Sequence, residues 1–260
     1  MLLYWDQNPI AFSLGPIQVH YYGLLFSIGF ILGYYIMQYL CKKCGYKTND
    51  LDKLLVYIFI GTIVGARLGH CFIYEPIYYL QNPLEIIKIW HGGLASHGGT
   101  VGVIIALLLY QRKSQFSFLD LTDLLSIPVS LVACFIRIGN FMNSEILGKP
   151  TNSDFGVVFL RLNEYFPRYP AQLFEAFAYL ITFFILLLVF FKFKNKIKGL
   201  IFSLLLILIF STRLIIEGFK EEQAMYDTHV FLNVGQLLSL PFILIGIILL
   251  IYSLKKAKRS

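Results

Sequence analysis

Long apolar blocks separated by short basic segments govern what this chain can fold into. Seven of them run roughly over residues 21–40, 54–74, 94–110, 119–137, 171–191, 200–219 and 234–254. A helix rising about 1.5 Å per residue needs about 17–25 residues to cross the hydrocarbon of a bilayer, and blocks of this size fit. The third is the shortest and opens with glycines. Composition agrees, with 57% of the 260 residues apolar and 14% charged, where soluble domains hold roughly 45–50% and 25%. The expectation is an all-α, polytopic membrane protein with seven transmembrane helices, residues 1–260 forming a single integral membrane domain. Residues 1–20 contain no Lys or Arg, so the first block lacks the basic flank of a signal peptide and reads as a retained span.

Charge orients the layout. With the N-terminus outside, the cytoplasmic segments carry 14 Lys and Arg and the outer segments 5, the bias of a multi-pass protein whose basic C-terminal tail is cytoplasmic. Arg67, Arg137 and Arg213 fall within or at the ends of spans. Residues 138–170, rich in Gly, Asn, Pro and charge, form the longest non-span segment. They predict a small extracytoplasmic head inserted between spans four and five. The net charge of +7 does not point to nucleic acid, because no soluble basic domain exists to present a stripe. Cys41 and Cys44 form a lone C-x-x-C in a basic loop, with neither a second ligand pair nor a redox context; reduced thiols are the favoured reading.

The ionisable residues inside the spans are the informative ones, since an Arg at mid-bilayer costs about 2.5–3.5 kcal/mol on insertion scales. In this topology Arg67, His97, Arg137, Glu175, Arg213, Glu217 and Gln236, together with His20 and Tyr22, all fall in the outer half of the membrane. Arg67, His70 and Tyr74 share a helix face. Arg213 and Glu217, at i and i+4, are spaced to pair. Taken singly, each arginine could equally hold spans together or snorkel toward headgroups. Three cations in one layer favour a site for an anionic group, and at that depth the natural anion is a phospholipid phosphate.

Two stretches stand out. Residues 91–102 read HGGLASHGGTVG. Here Gly98, Gly102 and Ala106 form a small-xxx-small row suited to tight helix contact, and His97 between glycine pairs is a general-base candidate. With so few carboxylates nearby, these histidines make a poor metal site. Residues 137–148 read RIGNFMNSEILG. Turn chemistry accounts for Gly139, Asn143 and Gly148, but not for Arg137, Asn140 and Glu145 together at the mouth of a polar layer.

These two stretches resemble the signatures of the prolipoprotein diacylglyceryl transferase family. The R-x-G-N-F-x-N-x-E-x-x-G segment is matched at 137–148 and the H-G-G segment at 97–99. HYYG at 20–23, GARLG at 65–69, YPAQLFE at 169–175, RLIIE at 213–217 and GQLLSLP at 235–241 follow in the family's order. The resemblance implies a bacterial inner-membrane enzyme of lipoprotein biosynthesis (protein lipidation). Such an enzyme moves diacylglyceryl from phosphatidylglycerol to the thiol of the lipobox cysteine in a prolipoprotein signal peptide, with no cofactor. By the match, Arg137 contacts the lipid phosphate and Arg213 is a second essential cation. His97, Tyr22, Asn140, Glu145 and Gly148 match functional positions, and Arg67 and Glu217 join the substrate-binding set. The chain departs from the pattern at Tyr169, where the family often has His, and at Ile209, where it has a tyrosine. Two other classes remain open on the residues alone: a lipid or small-anion transporter, which needs polar residues continuing to the cytoplasmic side, and a structural membrane subunit.

Overall fold

The computed structural model describes residues 2–49, 51–89, 92–193, 196–221 and 233–259. His91 lies outside them. The helices are α1 (Tyr21–Lys43), α2 (Leu51–Gly69), α3 (Pro76–Gln81), α4 (Ser96–Gln111), α5 (Phe118–Met142), α6 (Ala171–Phe193), α7 (Leu200–Ile216) and α8 (Val234–Ala257). Among the described residues, six helical segments are long and apolar enough to cross a membrane, and α4 is a shorter apolar helix. The all-α membrane architecture expected from the apolar blocks is therefore what forms, with α4 as the short seventh member.

Two of the boundaries differ from the sequence reading in a way that matters. Helix α5 does not end at Arg137 but continues to Met142, so Asn140 sits one helical turn beyond Arg137 rather than in a loop. Helix α2 ends at Gly69, and its last turn, His70–Tyr74, widens into a π-helix, the kind of bulge often found at functional sites.

The chain divides into two compact units, Met1–Leu40 with Thr122–Ser260 in one and Cys41–Leu121 in the other. In the first, α7 packs between α6 and α8, with Phe210 and Phe242 stacked 4.3 Å apart. The start of α7 is capped from another helix: Asp123 on α5, fully buried, accepts from the backbone N–H of Gly199 at 2.6 Å and of Phe202 at 2.8 Å. Gly199 adopts φ 86° there, a left-handed conformation that costs glycine nothing. The buried carboxylate thus satisfies two of the donors that every helix start leaves open.

Four short strands escaped the sequence reading. β1 (Leu2–Trp5) pairs in parallel with β4 (Gly156–Phe159), while β2 (Ile10–Leu14) and β3 (Ile17–His20) form an antiparallel hairpin. A small core of Phe141, Val157 and Phe159, with Trp5, Leu147 and Leu173 against it, fastens β1 and β4 to the C-terminal end of α5.

The second unit is organised by the crossing of α2 and α4. A Cβ at Gly102 would collide with the Gly61 carbonyl, one at Gly65 or Gly98 with the other's backbone neighbourhood, and one at Gly69 with Gly98. Glycine is required because the backbones meet with no space for a side chain, as the small-residue spacing predicted. Along one side the absent side chains leave an apolar groove of about 590 Å³, lined by residues of α2 and α4 and by Ile73. Below it, Cys41 and Cys44 are free. Burial, and secondarily the charge of Asp120, push the Cys44 thiol up from its ordinary value.

Candidate functional site

In the first unit, polar side chains from α5, α6 and the end of α7 converge in a connected network. Glu175, on the first turns of α6, is fully buried. Arg137 Nε lies 2.9 Å from its Oε2, and Lys220 Nζ donates to its Oε1, also at 2.9 Å. The Tyr179 hydroxyl, one turn along α6, donates to the same Oε1 at 3.3 Å. Lys220 also donates to Glu217 Oε2 at 3.1 Å. On its other side, Arg137 donates to Asn140 Oδ1, and Asn140 donates to Glu145 Oε2, both at 3.2 Å. A single chain of contacts therefore runs Glu145–Asn140–Arg137–Glu175–Lys220–Glu217.

Backbone geometry holds this chain in place. Glu145 lies between Ser144 at φ 56° and Ile146 at φ 54°. A β-branched residue in the left-handed region is a strained conformation. It is pinned by the buried Gln172, whose amide donates to the Glu145 carbonyl. Gly148 is wedged so closely against Tyr169 that a Cβ would strike the Tyr169 carbonyl. Arg168 locks the same strip from the side. It donates to the Gly148 carbonyl at 3.0 Å and to Glu221 at 3.1 Å, and forks onto both oxygens of Glu164. The hydrogen bonds to Glu164 hold the Arg168 guanidinium above its ordinary value. Tyr22 packs on Gly139 of α5, where an added Cβ would lie 2.7 Å from its ring.

Arg213 behaves differently. It stands in the last turn of α7, and its charge is felt at Tyr179 along with that of Arg137. Yet among the described residues it makes no hydrogen bond or ion pair, and its Nε is buried without a partner. The expected Arg213–Glu217 pair does not form, because Glu217 is drawn to Lys220 instead. A buried donor without a partner is expensive, and a ligand anion is a group that would complete it. The chain of contacts holds two cations, Arg137 and Lys220, and three carboxylates, Glu145, Glu175 and Glu217, and each of those carboxylates is already engaged by Asn140, Arg137 or Lys220.

Arg67 and His97 belong to the second unit. Arg67 is 3% exposed, and each of its five N–H groups goes to a backbone carbonyl: Nε to Ile86, one terminal nitrogen to Gly92 and Gly93, the other to Glu85 and Lys88. Its guanidinium also lies over the Tyr79 ring, 5.1 Å from the centroid. This geometry places Arg67 as the clasp that joins Glu85, Ile86 and Lys88 to Gly92 and Gly93. It leaves no donor for the substrate contact expected from the sequence, because a guanidinium has five N–H groups and no more. His70 lies between Tyr74 and Tyr79, with its Nε2 3.8 Å from Glu75. His97 opens α4 with its side chain exposed and lines the end of the apolar groove beside Gly98.

The sequence reading named Arg137, Asn140, Glu145, Gly148, Tyr22, Glu217 and Arg213, all of which lie in the first unit. It placed Glu175 in the polar layer without a role and counted Lys220 only as a loop lysine. The signal for Lys220 was present, three residues beyond Glu217. What the sequence could not display was Glu175, 45 positions earlier, as its second partner.

Comparison with known proteins converges on one family. A sequence model of prolipoprotein diacylglyceryl transferase matches residues 9–252. The chain is 52% identical over 259 residues to phosphatidylglycerol–prolipoprotein diacylglyceryl transferase of Tolumonas auensis, covering 99% of this chain and 100% of that one. It is 42% identical over 258 residues to the protein of the same name from Chloroherpeton thalassium (98% and 96% covered) and 40% over 265 residues to that from Bacteroides fragilis (97% and 95%).

Proposed function

The chain belongs to the prolipoprotein diacylglyceryl transferase family, and we propose that it transfers diacylglyceryl from phosphatidylglycerol to the lipobox cysteine thiol of prolipoproteins. The observation that carries the reading is Arg213, whose Nε is buried without a hydrogen-bond partner while the carboxylates of the network are engaged by Arg137, Asn140 and Lys220. A phosphodiester supplies the acceptor oxygens that a guanidinium fork matches.

In the proposed reaction the cysteine sulfur attacks the glycerol carbon that bears the phosphate. A C–S bond forms, the C–O bond to phosphate breaks, and glycerol phosphate leaves with the bonding pair. Attack at a saturated carbon needs no oxyanion hole, so the demand falls on stabilising the departing phosphate. Arg213 and Arg137 meet it electrostatically. The thiol must lose its proton, because the thiolate is the nucleophile, and His97 is the proposed base. Asn140 orients Arg137 through the hydrogen bond it accepts from it, and Glu145 orients Asn140 by accepting from its amide. Tyr22 lines the headgroup site, and Gly148 sets the close approach of the strip behind it. Glu217 acts through Lys220. Arg67 joins Glu85, Ile86 and Lys88 to Gly92 and Gly93.

The proposed setting is the bacterial inner membrane, with the N-terminus and the 138–170 head outside and the C-terminus cytoplasmic, on the strength of the charge bias. The polar residues near the other ends of the helices do not favour transport. Asp123 caps α7, and Asp120 takes up the Ser117 N–H and hydroxyl.

Purified protein given phosphatidylglycerol and a lipobox peptide is expected to yield a thioether-linked diacylglyceryl peptide and free glycerol phosphate in equal amounts, read by mass spectrometry and phosphate release. Absence of both products, with a peptide that an established relative lipidates, would refute the assignment.

A further inference from the structure

We propose that Lys220 is a positioning residue: it keeps the Arg213 guanidinium open for the phosphate of the lipid donor by holding Glu217 away from it. The inference rests on reading the network as a phospholipid headgroup site.

Helical spacing alone would join Arg213 to Glu217, since residues at i and i+4 on one helix face are neighbours. The chain leaves the α-helix at Ile216 and tightens into a 3-10 turn over Glu217–Phe219. Two independent features then settle where the Glu217 carboxylate goes. Lys220 Nζ, on a side chain only 4% exposed, takes one oxygen at 3.1 Å. Gly235, in the first turn of α8, lies so close that a Cβ there would stand 2.6 Å from the carboxyl carbon and Oε1. The carboxylate is seated against bare backbone on one side and the ammonium on the other.

Lys220 is itself held from two directions. Its backbone forms an antiparallel bridge with Gly148. The Lys149 N–H donates to the Phe219 carbonyl at 2.8 Å, and the Glu221 N–H to the Leu147 carbonyl at 3.0 Å. Its ammonium also binds Glu175, the carboxylate that engages Arg137. One lysine therefore occupies the carboxylate beside each arginine. A neutral residue at 220 would leave Glu217 seeking a cation, and Arg213 is the one at helical spacing. The pair that formed would close the guanidinium to ligand.

The test is steady-state kinetics with phosphatidylglycerol in mixed micelles and a lipobox peptide. Lys220→Met is expected to raise KM for phosphatidylglycerol about 10- to 100-fold, the range of a lost charge-assisted contact, with a smaller change in kcat. Adding Glu217→Gln removes the competing carboxylate and is expected to recover most of that KM. A merely structural lysine predicts no such recovery, because the second change would remove another native contact. If Lys220→Met does not fold, Lys220→Gln, which still donates to Glu175, carries the same comparison. An unchanged KM, or a raised KM that Glu217→Gln does not relieve, overturns the inference while wild-type turnover stands. A wild-type protein without turnover refutes the functional assignment itself.

Discussion

Arg67 and Arg213 occupy comparable positions, near the ends of apolar helices, and the surroundings of the two could hardly differ more. Arg67 spends every N–H on a loop carbonyl. Arg213 has no partner among the described residues, while Glu217, four positions on, is bound by Lys220 and lies against Gly235. Depth in the membrane does not distinguish a structural arginine from a binding one. The balance of donors and acceptors around it does, because an unmet buried charge is tolerated only where something else arrives to meet it.

The most demanding test of this contrast is Arg213→Ala. Loss of one preorganised donor to a developing anion costs about 10²- to 10³-fold in turnover, and a loss of that size in thioether formation is expected; activity within a few fold of wild type would erase the distinction. Arg67→Met should show the opposite signature. Loop carbonyls left without donors cost about 1–3 kcal/mol for each that stays buried. A lower thermal midpoint and faster proteolysis within 85–93 are expected, with KM for phosphatidylglycerol preserved in the molecules that remain folded. A raised KM with an unchanged midpoint would return Arg67 to the binding set.

Gly102→Ala probes the same unit without touching a charge. Its Cβ would meet the Gly61 carbonyl, and overpacking of this kind costs about 1–3 kcal/mol, seen as a modest fall in thermal midpoint. The smallest effect is expected from Gly235→Ala, which displaces the Glu217 carboxylate by the width of a methyl group. A few-fold rise in KM, relieved by Glu217→Gln, would tie that glycine to the openness of Arg213. No change would leave Lys220 as the sole restraint.

Much of this was readable in the sequence, and the limits are instructive. Apolar block length and Lys/Arg bias predicted the helices because lipid permits few alternatives. The Gly98–Gly102–Ala106 spacing predicted close packing, though not that Gly61, Gly65 and Gly69 would supply the other face. The partners of Arg67 were invisible because they are backbone carbonyls, which carry no side-chain signature. The Arg213–Glu217 expectation failed because local spacing competes with contacts that chain reversal brings in. The helix tightens after Ile216, and Lys220 reaches a glutamate 45 positions away. β1 was missed for a similar reason: its only strand partner begins at Gly156, and a four-residue strand pairing at that separation leaves no periodic trace.

The buried Asp123 has a further consequence. It sits fourteen positions before Arg137 on α5, and Gly199, which it binds, sits fourteen positions before Arg213 on α7. At about 1.5 Å per residue, each arginine stands roughly 21 Å along its helix from that shared pin. The carboxylate thus works as a gauge block, giving two helices a common zero from which each cation is counted off. Removing one residue between Leu200 and Thr212 would leave the pin intact, yet turn Arg213 by about 100° and drop it by about 1.5 Å. The proposed phosphate site would then be set from the opposite end of the helices.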